Sequence, residues 1–288
     1  MGPEIWFGDE LLSKENVFGL SFDFFVNWET LEISPSFWLK FRLDDTISYE
    51  ELLDDLENEV LKVLTLEKQQ VIVTLSNNHK INFELIIFND SLDWGDNNSD
   101  ILKVKVNSVG SKILLVPNKI TLFALKNQIQ QYSGGAVKVG WKGLIYGTSR
   151  LECSLSHTDS LYPGDADLVL FNDQKETIAI LEYKKHNLHT PIENQQLSNY
   201  YPRPDKRKYD RLSFLSHFLG RDHPLPIIVI YYPTKPNTIK GKIELLDNRE
   251  DNITTMANGI FELTDSKGEQ GVLARVLKAI NYFHSKMK

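Results

Sequence analysis

The sequence predicts a mixed α/β fold. Short apolar runs, too short for a typical helix, are typical of buried strands, and residues 226–232 are apolar on both faces, as in a central strand covered on each side. In other stretches apolar residues recur at helical spacing behind capping residues, as in residues 48–66. At 288 residues the chain is long enough for two domains.

Residues 1–118 are predicted to form a small α+β domain. Ser48 and Glu51 match a capping box, so a helix is expected to run from there to about Leu66. Asn77 and Asn78 are expected to form a turn. The expected strands are 37–43, 70–75, 80–88 and 101–106.

Residues 119–288 are predicted to form a second domain, with the boundary at the sequence Val116-Pro117-Asn118. Thr190, Pro191 and Glu193 match an N-cap, a first helical proline and a capping box, so a helix is expected to start there. The other expected elements are a helix over 121–131, a helix over about 203–219, the strand 226–232, two strands within 240–263 and a helix over 270–287.

A β-hairpin is predicted around the polar segment 172–176, which has apolar runs on both sides. Folding it symmetrically pairs residues whose numbers sum to 348 or 349. In the second register Asp167 lies opposite Glu182, with Cβ atoms roughly 5 Å apart. Because strand side chains alternate, Glu182 and Lys184 share a face. Two carboxylates and one amine are therefore expected at the end of an apolar sheet.

Three short motifs follow one another in this part of the chain: Gly164-x-x-Asp167, Glu182-x-Lys184 and Gln196-x-x-x-Tyr200. In type and order they resemble the motifs of the RecB-like branch of the PD-(D/E)XK nuclease superfamily. The resemblance covers roughly residues 119–232. It implies a restriction-endonuclease-like αβ nuclease core preceded by a smaller α+β domain.

The resemblance also implies roles for individual residues. Asp167, Glu182 and the carbonyl of Tyr183 would hold Mg²⁺ or Mn²⁺, the ions that oxygen ligands suit. Lys184 would orient or help deprotonate the attacking water and stabilise the charge that develops on the phosphate. Asp165 lies two residues before Asp167 and could reach the same site; Asp167 is favoured because it directly enters the apolar strand.

Gln196 and Tyr200 are four apart and so share one face of the predicted helix. The resemblance implies that they help hold the active site and the nucleic-acid backbone. Basic side chains just after them are candidates for phosphate contacts, although a solvated helix start explains them about as well. These residues are Arg203, Lys206, Arg207, Lys208 and Arg211.

Relatives in this superfamily often carry a further acid on an upstream helix; here Gln128 or Glu152 are the weaker candidates for assisting the metal. His186 and His189 without thiolates do not make a convincing zinc site. The single cysteine, Cys153, excludes an internal disulfide and the four-cysteine iron–sulfur cluster of some RecB-like relatives.

Charge is unevenly distributed along the chain. Residues 1–118 hold 9 basic and 21 acidic residues, whereas residues 119–288 hold 23 and 18. Nucleic acid is therefore expected to contact the second half, and the acidic half is expected to serve solubility, a protein partner or self-association. No apolar stretch approaches the roughly 20 residues of a membrane span, and a cytoplasmic protein is expected.

The sequence thus predicts a metal-dependent nuclease that hydrolyses phosphodiester bonds, of DNA more readily than of RNA, in a defence, repair or recombination system. The alternative is a nuclease-fold module that binds nucleic acid or a partner protein without cutting it. Divalent-cation-dependent cleavage would distinguish the two.

Overall fold

The computed structural model describes residues 2–92, 94–109, 112–137, 149–187, 189–234, 239–250, 252–263 and 268–287. It confirms a mixed α/β fold. The strands are β1 Phe18–Asn27, β2 Glu32–Leu43, β3 Asn82–Asn89, β4 Asp100–Val109, β5 Lys112–Thr121, β6 Gly164–Phe171, β7 Thr177–His186, β8 Ile227–Pro233, β9 Lys240–Asp247 and β10 Thr254–Glu262. The α-helices are α1 Pro3–Trp6, α2 Asp9–Lys14, α3 Tyr49–Asp54, α4 Leu56–Val63, α5 Leu66–His79, α6 Leu122–Ser133, α7 Arg150–Ser156, α8 Lys206–Leu219 and α9 Gly268–Met287.

The chain divides into two compact units. We call residues Met1–Ser21 and Ala166–Lys288 the discontinuous unit, and residues Phe22–Asp165 the inserted unit. These bounds differ from the predicted boundary at residue 118. Pro117 lies inside β5, where it pairs with Val104 of β4. Proline is tolerated there because, among the described strands, β5 pairs with β4 alone and so forms an edge.

The new bounds also change the distribution of charge. The inserted unit holds 13 basic and 20 acidic residues, and the discontinuous unit holds 19 of each. The net positive charge expected for the catalytic part is therefore absent from the discontinuous unit as a whole. Attraction for nucleic acid would have to come from a local cluster of basic side chains.

The inserted unit contains a mixed sheet in the order β1-β2-β3-β4-β5. Strands β2 and β3 are parallel, and the other neighbouring pairs are antiparallel. Its core packs Trp38 and Phe88 of the sheet against Leu125 and Ile129 of α6 and Leu151 of α7. The predicted helix over 121–131 is confirmed as α6, as are the predicted strands over 37–43, 80–88 and 101–106.

Three predictions for the inserted unit are wrong. The helix expected over 48–66 is two helices, α3 and α4, that meet at Asp55. The strand expected over 70–75 and the turn at Asn77 and Asn78 both lie within α5. The side chain of Thr65 caps α5 by accepting from the amide of Lys68, so a helix starts just before the β-branched run. Strand β1, which carries ten residues, was not predicted.

The strands of the discontinuous unit follow the order β10-β9-β8-β7-β6 and include both parallel and antiparallel neighbours. The pair β7 and β8 is parallel and is joined by a crossover that includes α8. Helix α8 buries Tyr209, Leu212 and Leu215. A separate core cluster lies on the other face of these strands. There, side chains such as Leu181 and Ile230 pack with α9 and with the N-terminal segment.

The hairpin formed by β6 and β7 agrees with the prediction. Leu168 pairs with Leu181 and Val169 with Ile180, which is the register whose residue numbers sum to 349. The observed pairs end at Leu168 and Leu181; the same register, extended by one residue, would set Asp167 opposite Glu182. The central strand at 226–232, the two strands within 240–263 and the helices near 203–219 and 270–287 are likewise confirmed.

Candidate active site

Two rows of neighbouring residues cross β7, β8 and β9, and each row has a charged side chain on β7 and another on β9. Glu182 pairs in register with Val229, and Val229 with Glu244. Two residues further along β7, the same registers align Lys184, Tyr231 and Lys242. The Glu182-x-Lys184 motif of β7 is thus mirrored by Lys242-x-Glu244 on the antiparallel strand β9.

Glu182 is a fully buried carboxylate with unusual partners. Its exposed fraction is 0%. The ammonium of Lys208 lies 2.8 Å from Oε1, and that of Lys184 lies 3.3 Å from it. Within the described part of the chain, neither carboxylate oxygen has a partner at hydrogen-bonding geometry. The charge is therefore offset by two cations while Oε2 lacks a hydrogen-bond donor, an expensive arrangement for a group that served only the fold.

Glu244, on the mirrored strand, is buried in an entirely different way. Its Oε2 accepts from the amide of Leu197 at 2.8 Å and from the hydroxyl of Tyr231 at 2.7 Å, and its Oε1 accepts from Thr255. Hydrogen bonds to both oxygens satisfy this carboxylate. Glu244 is thus a structural glutamate, and it provides an internal comparison for Glu182.

Lys184 is held on several sides. Its Nζ donates to Asp205 Oδ2 at 2.8 Å and lies over the rings of Tyr200 and Tyr209, 4.8 Å and 5.4 Å from their centroids. Its side chain is only 13% exposed. Burial, followed by the charge of Glu182, raises the pKa of the Tyr209 hydroxyl well above its usual range, so Tyr209 stays neutral beside the lysine. Lys184 is consequently a fixed cation.

Asp167 and Tyr183 meet at the backbone. Oδ2 of Asp167 accepts from the amide of Tyr183 at 2.6 Å, which attaches the aspartate to the residue between Glu182 and Lys184. Burial, and then the charge of Asp167, raises the pKa of the Tyr183 hydroxyl. Asp165 has different surroundings: in the inserted unit its charge acts on Asp23.

The segment carrying Gln196 and Tyr200 is not the predicted helix. Residues Ile192–Asn194 and Leu197–Asn199 form two short 3₁₀ turns. Gln196 is exposed, whereas its neighbour Gln195 is buried and accepts a hydrogen bond from the Tyr200 hydroxyl at 2.8 Å. The glutamine that contacts Tyr200 is therefore Gln195 and not Gln196, which was predicted to share a helix face with it.

Tertiary contacts explain why no helix forms there. Lys242 donates to the carbonyls of Glu193 and Gln195, and Glu244 accepts from the amide of Leu197. These contacts occupy backbone groups that a helix would pair internally, and they outweigh the helix-start signal at Thr190. The mirrored pair of β9 thereby positions the segment that carries Tyr200.

The five basic candidates do not share one environment. Arg203 and Arg207 are exposed. Lys206 is paired with Asp210 at 2.6 Å on the surface of α8. Arg211 is half-buried, and the ammonium of Lys208 lies 2.8 Å from Oε1 of Glu182. Arg203 and Arg207 are the members best placed to meet a ligand from solvent.

Comparison with known proteins adds nothing to this geometry. No family model, curated protein or solved structure matches the chain. No helix in the described part of the chain is both long and apolar enough to span a membrane. Any functional assignment must therefore come from the residues themselves.

The donor set expected from the sequence would suit a divalent cation that prefers oxygen ligands. Within the described ranges, no three side chains of His, Cys, Asp or Glu gather as a metal-binding group. The expected donor set is smaller, with two carboxylates, Asp167 and Glu182, and the carbonyl of Tyr183. The buried Oε2 of Glu182, which lacks a hydrogen-bond donor, is the observation that favours it.

The weaker upstream candidates are engaged elsewhere, in the inserted unit. Gln128 accepts from Lys103 at 2.9 Å. Glu152 closes the capping box of α7 and accepts from Lys40 at 2.7 Å. His186 bonds through Nε2 to the carbonyl of Thr190, which gives it a structural role.

Sequence reasoning missed several residues of the site, namely Gln195, Asp205, Lys242 and Glu244, and it gave Lys208 a different role. A signal existed for two of them. Lys242 and Glu244 lie on either side of Ile243 in the middle of β9, and charged residues at such positions are rarely buried without partners. No comparable signal marks Asp205, because its contact with Lys184 depends on the placement of α8.

Proposed function

We propose that this chain is a metal-dependent nuclease that hydrolyses phosphodiester bonds, of DNA more readily than of RNA. The observation that supports the proposal is the contrast between two buried glutamates on one face of the strands. Glu244 is satisfied by neutral hydrogen-bond donors, whereas Glu182 forms ion pairs with Lys184 and Lys208 and has no hydrogen-bond donor among the described residues. Such a carboxylate is suited to a ligand that brings its own positive charge.

Each group of the site has a task in this reaction. When bound, Mg²⁺ or Mn²⁺ supplies a water of lowered pKa and positive charge beside the scissile phosphate. Asp167, Glu182 and the carbonyl of Tyr183 would hold the ion. Lys184 presents a fixed ammonium that stabilises the negative charge developing on the phosphate, and Asp205 orients that ammonium.

The substrate proposal depends on local charge. Arg203 and Arg207 are exposed near the start of α8, the helix that brings Lys208 to Glu182. Guanidinium groups bind phosphate oxygens in a bidentate manner, so these two residues are suited to positioning a nucleic-acid backbone. We propose that DNA is cleaved more readily than RNA, and the cleavage assay includes both.

One observation favours a second candidate, a nuclease-fold module that binds nucleic acid or a protein without cutting. Glu182 is paired with Lys208, and Lys184 with Asp205, so the charges of the centre already compensate one another. A protein that has lost catalysis would also keep such pairs for stability.

The deciding experiment is a cleavage assay with the purified full-length chain. Linear, circular and single-stranded DNA, and RNA, are incubated with Mg²⁺, with Mn²⁺ or with EDTA. We expect cleavage that requires the cation and that falls 10²-fold or more in Glu182→Gln and in Lys184→Ala.

Glu193→Gln is the matched control, because Glu193 is a carboxylate of the same unit that pairs with Lys240. Cleavage by this variant should equal that of the wild type. Nucleic-acid binding without any cation-dependent cleavage would instead support the non-cutting module. Cleavage that survives in Glu182→Gln would place the reaction at a site that does not use Glu182.

A further inference from the structure

Lys208 makes the shorter of the two ion pairs of Glu182. Its Nζ is 2.8 Å from Oε1, compared with 3.3 Å for Lys184. Glu182 is entirely buried, so this ion pair provides much of the compensation for its charge. A lysine used in this way is not available for a phosphate on the surface of α8.

We propose that Lys208 is a positioning residue that sets the affinity of the centre for its divalent cation. It neutralises Glu182 while the cation is absent, and the bound cation takes over that role. The inference rests on the proposed function, since it concerns the same carboxylate. It predicts that removing Lys208 tightens cation binding, the opposite of what removing a favourable ligand would do.

The two lysines differ in exposure. Lys184 is 13% exposed, and its ammonium contacts Asp205 and two tyrosine rings. Lys208 is 31% exposed and projects from the first turn of α8, so its ammonium lies nearer to water than that of Lys184. When a doubly charged ion approaches Glu182, repulsion acts on both ammonium groups, and Lys208 is the one that can withdraw.

Lys184 then remains as the cation of the centre. The ammonium of Lys208 lies 2.8 Å from Glu182 Oε1, so a divalent ion bound to Glu182 would be strongly repelled by it. Withdrawal of Lys208 lowers this repulsion while leaving the contacts of Lys184 intact. The ion pair between Glu182 and Lys208 therefore competes with cation binding.

The test measures Mn²⁺ binding by the full-length protein, using electron paramagnetic resonance of the free ion. Lys208→Met removes the charge and keeps the length of the side chain. We expect it to bind Mn²⁺ roughly tenfold more tightly than the wild type. Lys206→Met, in the same helical turn, removes a charge that pairs with Asp210 on the surface and should change the affinity less than about twofold.

A second measurement examines the ion pair without any cation. In EDTA, the urea midpoint of Lys208→Met should fall below that of the wild type, and the double variant Glu182→Gln/Lys208→Met should recover part of the loss. Where Lys208→Met does not fold, Lys208→Gln serves both measurements with the same expectations, because its amide can donate to Glu182.

The outcomes separate the two proposals. Equal or weaker Mn²⁺ binding by the Lys208 variants, in a protein that cleaves, would overturn this inference alone. Absence of coupling between positions 182 and 208 in EDTA would also overturn it, whatever the catalytic result. A wild-type protein that binds no Mn²⁺ would overturn both this inference and the proposed function.

Discussion

At the scale of single residues, the protein buries two glutamates of the candidate site whose charges are compensated in different ways. Burying a carboxylate is costly unless hydrogen bonds or ion pairs compensate it. Glu244 has hydrogen bonds to both oxygens, and Glu182 has ion pairs to one oxygen only. The same residue type on the same face is therefore predicted to respond differently to the same substitution.

Glu244→Gln is expected to destabilise the protein by about 2–4 kcal/mol, because hydrogen bonds to a buried charged acceptor are weakened or removed. Glu182→Gln is expected to change the stability by less than about 1 kcal/mol in EDTA, since Lys208 can turn to solvent once the charge is gone. Urea unfolding followed by circular dichroism measures both. Equal losses in the two variants would contradict the distinction between a structural and a functional glutamate.

The inserted unit has a buried cluster of its own around Lys40. The ammonium of Lys40 lies 3.3 Å from Asp23 and 2.7 Å from Glu152. Burial of Asp23 is the largest influence on its pKa; Lys40 acts in the opposite direction, and Asp165 and Glu152 add to the rise. Together they raise the pKa of Asp23 to about 7.

This raised pKa predicts a pH-dependent stability. Because the folded-state pKa of Asp23 exceeds the unfolded value, its contribution to stability is fully present below about pH 4 and is lost as the pH rises through about 7. Asp23→Asn should remove this dependence, so the variant should gain on the wild type across that range by at most about 4 kcal/mol.

Thermal unfolding of both proteins between about pH 4 and pH 8 measures the difference. Asp100→Asn is the control, since Asp100 forms a surface pair with Lys119 and should give a curve parallel to the wild type. Parallel curves for Asp23→Asn would show that Asp23 is ionised in the folded protein throughout the range.

At the scale of elements, the sequence predicted best where the local signal and the tertiary environment agree. The hairpin of β6 and β7 has apolar runs around a polar loop, and its register follows from that symmetry. Helix α8 has an apolar stripe, and the residues of that stripe are buried in the structure. This hairpin carries half of the candidate site, Asp167 to Lys184, so that half could be predicted from the sequence.

Prediction failed where distant residues outweigh local preferences. The run Val71–Ile72–Val73 favours a strand by its β-branched side chains, yet these residues are buried in α5. The backbone after Thr190 is bound by Lys242 and Glu244, nearly fifty residues later. Contacts at such separations are not encoded in the neighbouring sequence, so the second half of the site could not be placed.

The start of α8 carries a prediction about nucleic-acid binding. Arg203→Ala/Arg207→Ala is expected to weaken binding and to lower the slope of log affinity against log salt by roughly 0.7–0.9 for each phosphate that the variant no longer neutralises. Lys206→Ala is the control, since Lys206 already pairs with Asp210. Fluorescence anisotropy with labelled DNA over a salt series measures the slope. An unchanged slope in the double variant would mean that these arginines only solvate the helix.

At the scale of the whole chain, the N-terminal segment belongs with the candidate site. Trp6 packs edge-on against Tyr232 at 5.9 Å and against Phe261 at 6.2 Å. Phe7 stacks on Tyr183, the central residue of the Glu182-x-Lys184 motif, at 5.9 Å. The expectation that residues 119–288 would hold a complete nuclease domain omits these contacts.

A fragment of residues 119–288 is therefore predicted not to fold. Each of the buried side chains Trp6, Phe7 and Leu12 contributes about 1.5–3 kcal/mol by burial, and their sum approaches the total stability of a typical domain, about 5–15 kcal/mol. The fragment should show little cooperative unfolding and no cation-dependent cleavage. A folded, active fragment would return the boundary to residue 118.

A second variant tests whether the discontinuous unit folds without the inserted unit. Ser21 donates to the carbonyl of Asp167 at 2.5 Å, so a short glycine-serine linker can join residue 21 to residue 166 in place of residues 22–165. This protein keeps Asp167, Glu182 and Lys184 together with the N-terminal core, and we expect it to unfold cooperatively and to bind Mn²⁺ as the full chain does. Cleavage is then compared with that of the full chain at equal concentration. If the linked protein folds and binds Mn²⁺ but does not cleave, the inserted unit supplies a group that the reaction needs; if it cleaves, the inserted unit serves regulation or substrate choice.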